Sequence, residues 1–224
     1  MVHHYRLLFE IPGSIARTPV LRKASLSVER GKLAGLIGRN GAGKTTVMRS
    51  IMGLLAVSGG SIRLDGQDLT RAPAHLRANL GVGYMPEDRK LVPDFTVEQN
   101  ILVPVWACGK PESEARLDWI YELMPEIARF RERKANSLSG GQQKLVALGR
   151  ALAVGRTLLL LDEPFEGVAP ALAQRLIEVV ASLKAEGLTI LLSESDQVHS
   201  ATLLDSLFTI ERGEIRFSPP ARAA

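Results

Sequence analysis

The run GRNGAGKTT, Gly38 to Thr46, constrains this chain more than any other stretch. It satisfies the pattern G-x-x-x-x-G-K-[ST]. It stands directly after the apolar run LAGLIG and directly before a segment with Val47, Met48, Ile51 and Met52 at helical spacing. Strand, glycine loop and helix in that order make a cradle for anions. Gly38, Gly41 and Gly43 permit a tight loop whose backbone N–H groups converge, and the helix N-terminus adds its positive end. Arg39, Asn40, Ala42 and Thr46 complete the candidate phosphate-binding positions. Lys44 is placed to reach the β- and γ-phosphates of a nucleotide as a point charge, and the Thr45 hydroxyl to ligate Mg²⁺. A glycine-rich turn with no ligand is the plain alternative, and the flanking strand and helix argue against it.

The surrounding sequence alternates in the same way. A strand is expected from Val20 to Val28, ending in a turn at Gly31, although the first thirty residues are weakly patterned. Asp65-Gly66 marks a hairpin, GVGYMPE a short strand stopped by Pro86, and Arg212-Gly213 a second hairpin near the end. From Thr96 to Val154 the period becomes helical: Thr96 with Gln99 forms a capping box, Pro111 can open a second helix, and Ser139 can cap a third. Then TLLLLD, a helix from Pro170 closed by Gly187, and LTILLSES restore strand–helix–strand alternation. The class is therefore α/β, with a mostly parallel sheet interrupted by an all-helical insert.

Composition excludes little beyond disorder and fibrous folds, since 46% of the 224 residues are hydrophobic and 23% charged. The formal charge of +4 suits a nucleotide, an anionic membrane surface or nucleic acid equally. Cys108 is the single cysteine, cannot form an internal disulfide and fits a reducing compartment. No apolar run approaches the ~20 residues of a membrane span, and the N-terminus is read without a secretory signal, so work at a membrane would go through a partner.

Two further motifs carry chemistry. LLLLDEP puts Asp162 and Glu163 at the carboxyl end of the most apolar run, the sheet edge where ligands bind in open α/β folds. Neighbouring strand residues point opposite ways, so the two acids have separate roles unless the chain turns there. Asp162 is the candidate for the Mg²⁺ shell and Glu163 the candidate general base; a solvated strand end is the bland reading. LSGGQQK, Leu138 to Lys144, opens a helix with two glycines, a poor start unless something approaches the backbone closely. Ser139, Gly140, Gly141 and Gln142 would form a second anion-binding helix end, and two such ends meet one phosphate most simply from two chains.

GRNGAGKT, LSGGQQK and LLLLDEP, in this order and spacing from about Val20 to Phe217, resemble the ATP-binding subunit of an ABC transporter. PEDRKLVPDFTVEQNILV and DEPFEGVAP are similar to the ATPases of the branched-chain amino-acid uptake family, which includes urea and amide importers. The resemblance implies a P-loop NTPase core of RecA-like type with an N-terminal antiparallel β subdomain. It divides one domain into a nucleotide core, 1–90 and 156–224, and a helical subdomain, 91–155. ATP and Mg²⁺ would be sandwiched in a head-to-tail dimer with a second ABC ATPase subunit, homo- or heterodimeric. Transmembrane permease subunits would hold the pair at the inner face of the cell membrane, a solute-binding protein would act outside, and no nucleic acid is expected. PEDRKLVPDF would be the hinge between nucleotide and docking surface.

Several positions depart from that family's pattern. Glu87 stands where glutamine is usual at the start of the hinge, and can still touch Mg²⁺ or its waters. Ala169 replaces a usual aspartate, and Ser14 and Ile15 lie where an adenine-stacking aromatic is expected; Tyr5 could substitute if the N-terminal segment folds back. Ser195 replaces a histidine that would donate to the γ-phosphate, and His199 should point elsewhere. Losing one preorganised donor typically costs roughly 10²–10³ in rate, so hydrolysis would be slow but present. His3 and His4 read as solvated, RFRERK as a solvated helix face, and Trp106 and Trp119 as core or docking anchors. The rival readings are an ATP-gated module with little hydrolysis and a non-transport ABC ATPase.

Overall fold

The computed structural model describes residues 5–11, 21–109, 114–196 and 198–218. Among the described residues, ten strands and seven α-helices follow in the order β1 (Tyr5–Ile11), β2 (Ala24–Glu29), β3 (Leu33–Ile37), α1 (Lys44–Ile51), β4 (Ser61–Leu64), β5 (Gln67–Asp68), α2 (Ala74–Asn79), β6 (Val82–Met85), α3 (Val97–Ala107), α4 (Glu114–Leu123), α5 (Pro125–Ala128), α6 (Gly140–Val154), β7 (Leu158–Asp162), α7 (Pro170–Ala185), β8 (Thr189–Glu194), β9 (Ser206–Glu211) and β10 (Glu214–Ser218). A six-stranded sheet runs β10-β9-β3-β8-β7-β6, parallel except for β10, and a four-stranded antiparallel sheet runs β2-β1-β4-β5.

The apolar runs explain the layering. In β7, Leu158 and Leu160 join the core cluster that contains α1 and the small sheet. Leu159 and Leu161 join the cluster built with α3, α6 and α7. A strand covered on both faces cannot alternate polar and apolar residues, hence LLLL. The two faces together create a central layer from which only the strand ends emerge. At the far end of α1, the buried Arg77 guanidinium donates to the carbonyls of Ser50 (2.8 Å), Ile51 (2.7 Å) and Leu69 (2.6 Å). It satisfies the orphan carbonyls of the helix C-terminus and so fixes the helix that begins with Lys44.

The α/β class and helical insert expected from the alternation are present, and both hairpins turn on paired left-handed residues: Asp65 (φ 50°) with Gly66 (φ 83°), and Arg212 (φ 47°) with Gly213 (φ 81°). The expected capping box forms between Thr96 and Gln99, and the cap expected at Ser139 is itself a capping box, closed by Gln142. Three expectations are corrected. The early strand starts at Ala24, because Lys23 sits at φ 49°, a conformation no strand continues through. Tyr5–Ile11, within the weakly patterned first thirty residues, is a strand that buries Leu7, Phe9 and Ile11 in alternation. RFRERK is solvated at Arg131–Lys134, but on a turn after α5 rather than on a helix. Pro111, His3, His4, Ser14 and Ile15 lie outside the described residues. Among the described residues, no helix is long and apolar enough to cross a membrane.

Because Leu160 is fully buried between β-layer and α1, Leu160→Ala is expected to cost about 2–5 kcal/mol. Urea unfolding should show a lower midpoint with an unchanged slope. Glu194, 4% exposed at the end of β8, accepts from Ser200 Oγ, yet burial, with Asp196 and Glu163 nearby, holds its carboxyl up at about 7. The folded value lies above the unfolded value of 4.5, so its contribution to stability is full below that pH and is lost as pH rises through about 7. Glu194→Gln should therefore flatten the loss of unfolding free energy between pH 5 and pH 8 by up to about 3 kcal/mol. An unaltered pH dependence would contradict this assignment.

Candidate functional site

Three neighbouring strands, β3, β8 and β7, end side by side. Register pairs Ile37 with Glu194 and Asp162 with Ser193, so Gly38 and Ser195 leave the sheet at one level and Glu163 one residue before it. The loop Gly38–Gly43 leads from β3 into α1, whose first turn is Lys44, Thr45 and Thr46. A Cβ at Gly38 would lie 2.3 Å from the Ile210 carbonyl oxygen, so only glycine lets the loop pass β9. Gly43 caps α1 at φ 115°, a region closed to other side chains.

Lys44 turns back over this loop. Its ammonium, on a residue only 5% exposed, donates to the carbonyls of Gly38 and of Arg39 (3.2 Å) and lies 2.9 Å from Glu163 Oε1. Glu163 is 4% exposed and adopts φ 49°. That left-handed residue is the turn without which the two acids would point to opposite faces. Ser195, immediately after β8, has its Oγ 2.9 Å from Asn40 Oδ1 and 3.1 Å from Glu163 Oε1. With one proton to donate, it serves one acceptor at a time. His199 points elsewhere, its ring 5.5 Å from that of Phe165.

Asp162 is fully buried, and burial raises its carboxyl above the usual range while hydroxyl bonds from Ser193, Thr45 and Tyr84 oppose that shift. Glu87 lines the same cleft as Thr45 and Asp162, a space of about 770 Å³ between α1, β6 and α3. Its carboxyl is also pushed up, first by burial and then by Glu166, Asp162, Glu163 and Asp88. Such an acidic setting is relieved by a cation. Among the described residues, no three His, Cys, Asp or Glu group into a metal cage. The available set is one hydroxyl and two carboxylates, hard oxygen donors that match Mg²⁺ delivered with phosphates rather than held by protein alone. On the other side of the loop, a cleft of about 970 Å³ carries Arg22, Arg39, Arg212 and Arg216 against Glu211 and Glu214. Tyr5 is not part of it; it lies with Phe208 and Phe217 along another groove.

Ser139, Gly140, Gly141 and Gln142 form the N-cap and first turn of α6. The two glycines pack closely on other elements: a Cβ at Gly141 would lie 2.6 Å from Leu172 Cδ2, and one at Gly140 3.3 Å from Arg89 Nη1. Sequence reasoning passed over Lys144 in the same run. It is 2% exposed, and its ammonium donates to the carbonyls of Glu163 (2.9 Å) and Glu166. Burial, then Arg89, pulls its value down to about 8. The expected hinge is pinned on two sides, with Arg150 donating to the carbonyls of Lys90 (2.6 Å) and Arg89, and Asn100 bonded to Val92. Ser193 and Tyr84 were also missed, although a serine inside an apolar strand is itself a signal.

Known proteins resemble this chain over most of its length. The family model described as "ABC transporter" matches residues 21–166. The high-affinity branched-chain amino acid transport ATP-binding protein BraG of Pseudomonas aeruginosa is 34% identical over 87% of this chain and 84% of that protein. The lipopolysaccharide export system ATP-binding protein LptB of Escherichia coli is 32% identical over 88% of this chain and 82% of that protein. A nucleotide-free ATP-binding cassette from an ABC transporter superposes with a TM-score of 0.84 at 28% identity, covering 97% of this chain and 92% of that one. With the family model matched across both the phosphate loop and the acid pair, this chain belongs to the ABC transporter family.

Proposed function

We propose that this chain is the ATP-binding and ATP-hydrolysing subunit of an ABC importer for branched-chain amino acids or related small polar solutes. The observation that carries the hydrolytic part is the convergence of Lys44, Glu163 and Ser195 at adjacent strand ends. The phosphates of ATP lie on the N–H groups of Gly38–Thr46, and Lys44 exchanges its ion pair with Glu163 for the γ-phosphate. Glu163, released, accepts a proton from the water that attacks the γ-phosphorus as ADP departs. Ser195 donates where a cationic imidazole would, from a shorter arm, which makes the chain's own turnover slow. Thr45, Asp162 and Glu87 would hold Mg²⁺, which supplies neutralisation of phosphate charge.

Residues 1–90 and 156–224 form the nucleotide core in this reading, and 91–155 the helical subdomain. Ser139, Gly140, Gly141 and Gln142 complete the site of a second ABC ATPase subunit, offering the N-terminus of α6 to its phosphates. The cleft of about 770 Å³ beside Glu87, lined by Leu54, Val103 and Pro104, is where a permease segment docks at the inner membrane face, and a solute-binding protein acts through that permease. The 32% identity to LptB supports a second reading, an envelope-lipid exporter, at nearly the same level as the 34% identity to BraG.

Steady-state hydrolysis should fall by about 10²-fold or more in Glu163→Gln. It should rise in Ser195→His, by up to roughly 10²–10³-fold, at matched ATP occupancy. A wild type no faster than Glu163→Gln would refute hydrolysis and favour the ATP-gated reading. Mass spectrometry of membrane subunits that co-purify separates importer from exporter; consistent recovery with ribosomes would overturn both.

A further inference from the structure

Strand β8 is buried on both faces, and Ser193 within it is fully inaccessible. A hydroxyl in that position is costly unless its donor and acceptor capacities are both used. Ser193 uses both, on the two acids. Its Oγ donates to Asp162 Oδ1 at 2.7 Å and accepts the Glu163 N–H at 3.2 Å. The direction is forced, since a carboxylate only accepts and an amide N–H only donates. The same N–H also reaches the Ser193 carbonyl at 3.2 Å, so the peptide that swings Glu163 to φ 49° is held by one residue through two oxygens. Tyr84 donates to the other oxygen of Asp162 at 3.2 Å, which leaves the carboxylate little freedom to rotate.

We propose that Ser193 is the positioning residue of the acid pair, one hydroxyl setting the angle between the Asp162 carboxylate and the Glu163 turn. Fully buried, it acts through the groups it bonds. Its effect passes through Asp162, toward the Mg²⁺ shell, and through Glu163, toward Lys44 and Ser195. Alanine at 193 would leave Asp162 one donor short in a buried site and the Glu163 N–H with a carbonyl alone. Threonine would keep both bonds. The inference rests on the hydrolytic reading above, and the variants are chosen to separate the two.

Full-length wild type, Ser193→Ala, Ser193→Thr and Glu163→Gln are compared by steady-state hydrolysis, by Mn²⁺ affinity in the presence of a non-hydrolysable ATP analogue using electron paramagnetic resonance, and by ATP binding in EDTA. Ser193→Ala should lose about 10–100-fold in kcat and weaken Mn²⁺ binding by a similar factor. Metal-free ATP affinity should stay within about twofold of wild type, because the phosphate loop keeps its contacts. Ser193→Thr should recover both readouts to within about threefold. If Ser193→Ala does not fold, Ser193→Cys, of similar shape but a weak donor, carries the same expected losses. Wild-type kcat and Mn²⁺ affinity in the variant lacking the hydroxyl, or threonine as impaired as alanine, overturns the positioning role. If Glu163→Gln is inactive in that case, the hydrolytic reading survives; a Glu163→Gln as fast as wild type sinks both.

Discussion

The parallel register of β3, β8 and β7 is the constraint on which the rest depends. These strands are buried on both faces, so slipping one by a residue would exchange its two core faces and break two hydrophobic clusters at once. Because the register cannot slip, the strand ends stay level, and the phosphate loop, Ser195 and the acid pair meet without any long-range steering. The core is in that sense a jig for the loops. Its stability comes from leucine, and its function from the few residues that project beyond it.

Within that frame, the Lys44–Glu163 pair shapes what the site can accept. Both side chains are nearly buried, 5% and 6% exposed, and their charges are 2.9 Å apart. Removing one partner of a buried pair leaves an uncompensated charge, typically at a cost of 3–5 kcal/mol. Lys44 can therefore leave Glu163 readily only for another anion. A phosphate group held by the loop amides would be such an anion, and in the proposed mechanism its arrival is what frees Glu163. Lys144 adds a second link, tying the first turn of α6 to the acid loop through the carbonyls of Glu163 and Glu166.

Much of this was legible in the sequence because the signals are local. A glycine loop between strand and helix, a capping box at Thr96, a cap at Ser139 and two hairpin turns each declare themselves within a few residues. The class followed from alternation, and the family from three spaced motifs. What escaped was set by distant contacts or by single dihedrals. Ser193 gains its meaning only from the pairing of β8 with β7, Tyr84 from the pairing of β6 with β7, and Lys144 from packing across the sheet edge. Adjacent strand acids diverge unless the chain turns, and at Glu163 it does turn, through one left-handed residue. Strand β1 escaped for a different reason: its alternation is short, and it acquires partners only from β2 and β4.

The central claim is that the level strand ends form a phosphate-binding centre governed by Lys44. Calorimetric titration of the chain with ATP tests it directly, using Lys44→Ala beside Lys90→Ala, whose side chain is exposed on the hinge. One ATP per chain should bind the wild type and Lys90→Ala alike, and Lys44→Ala should bind at least about tenfold more weakly, the loss of one charge-assisted contact. Equal affinity in Lys44→Ala and the wild type would contradict it.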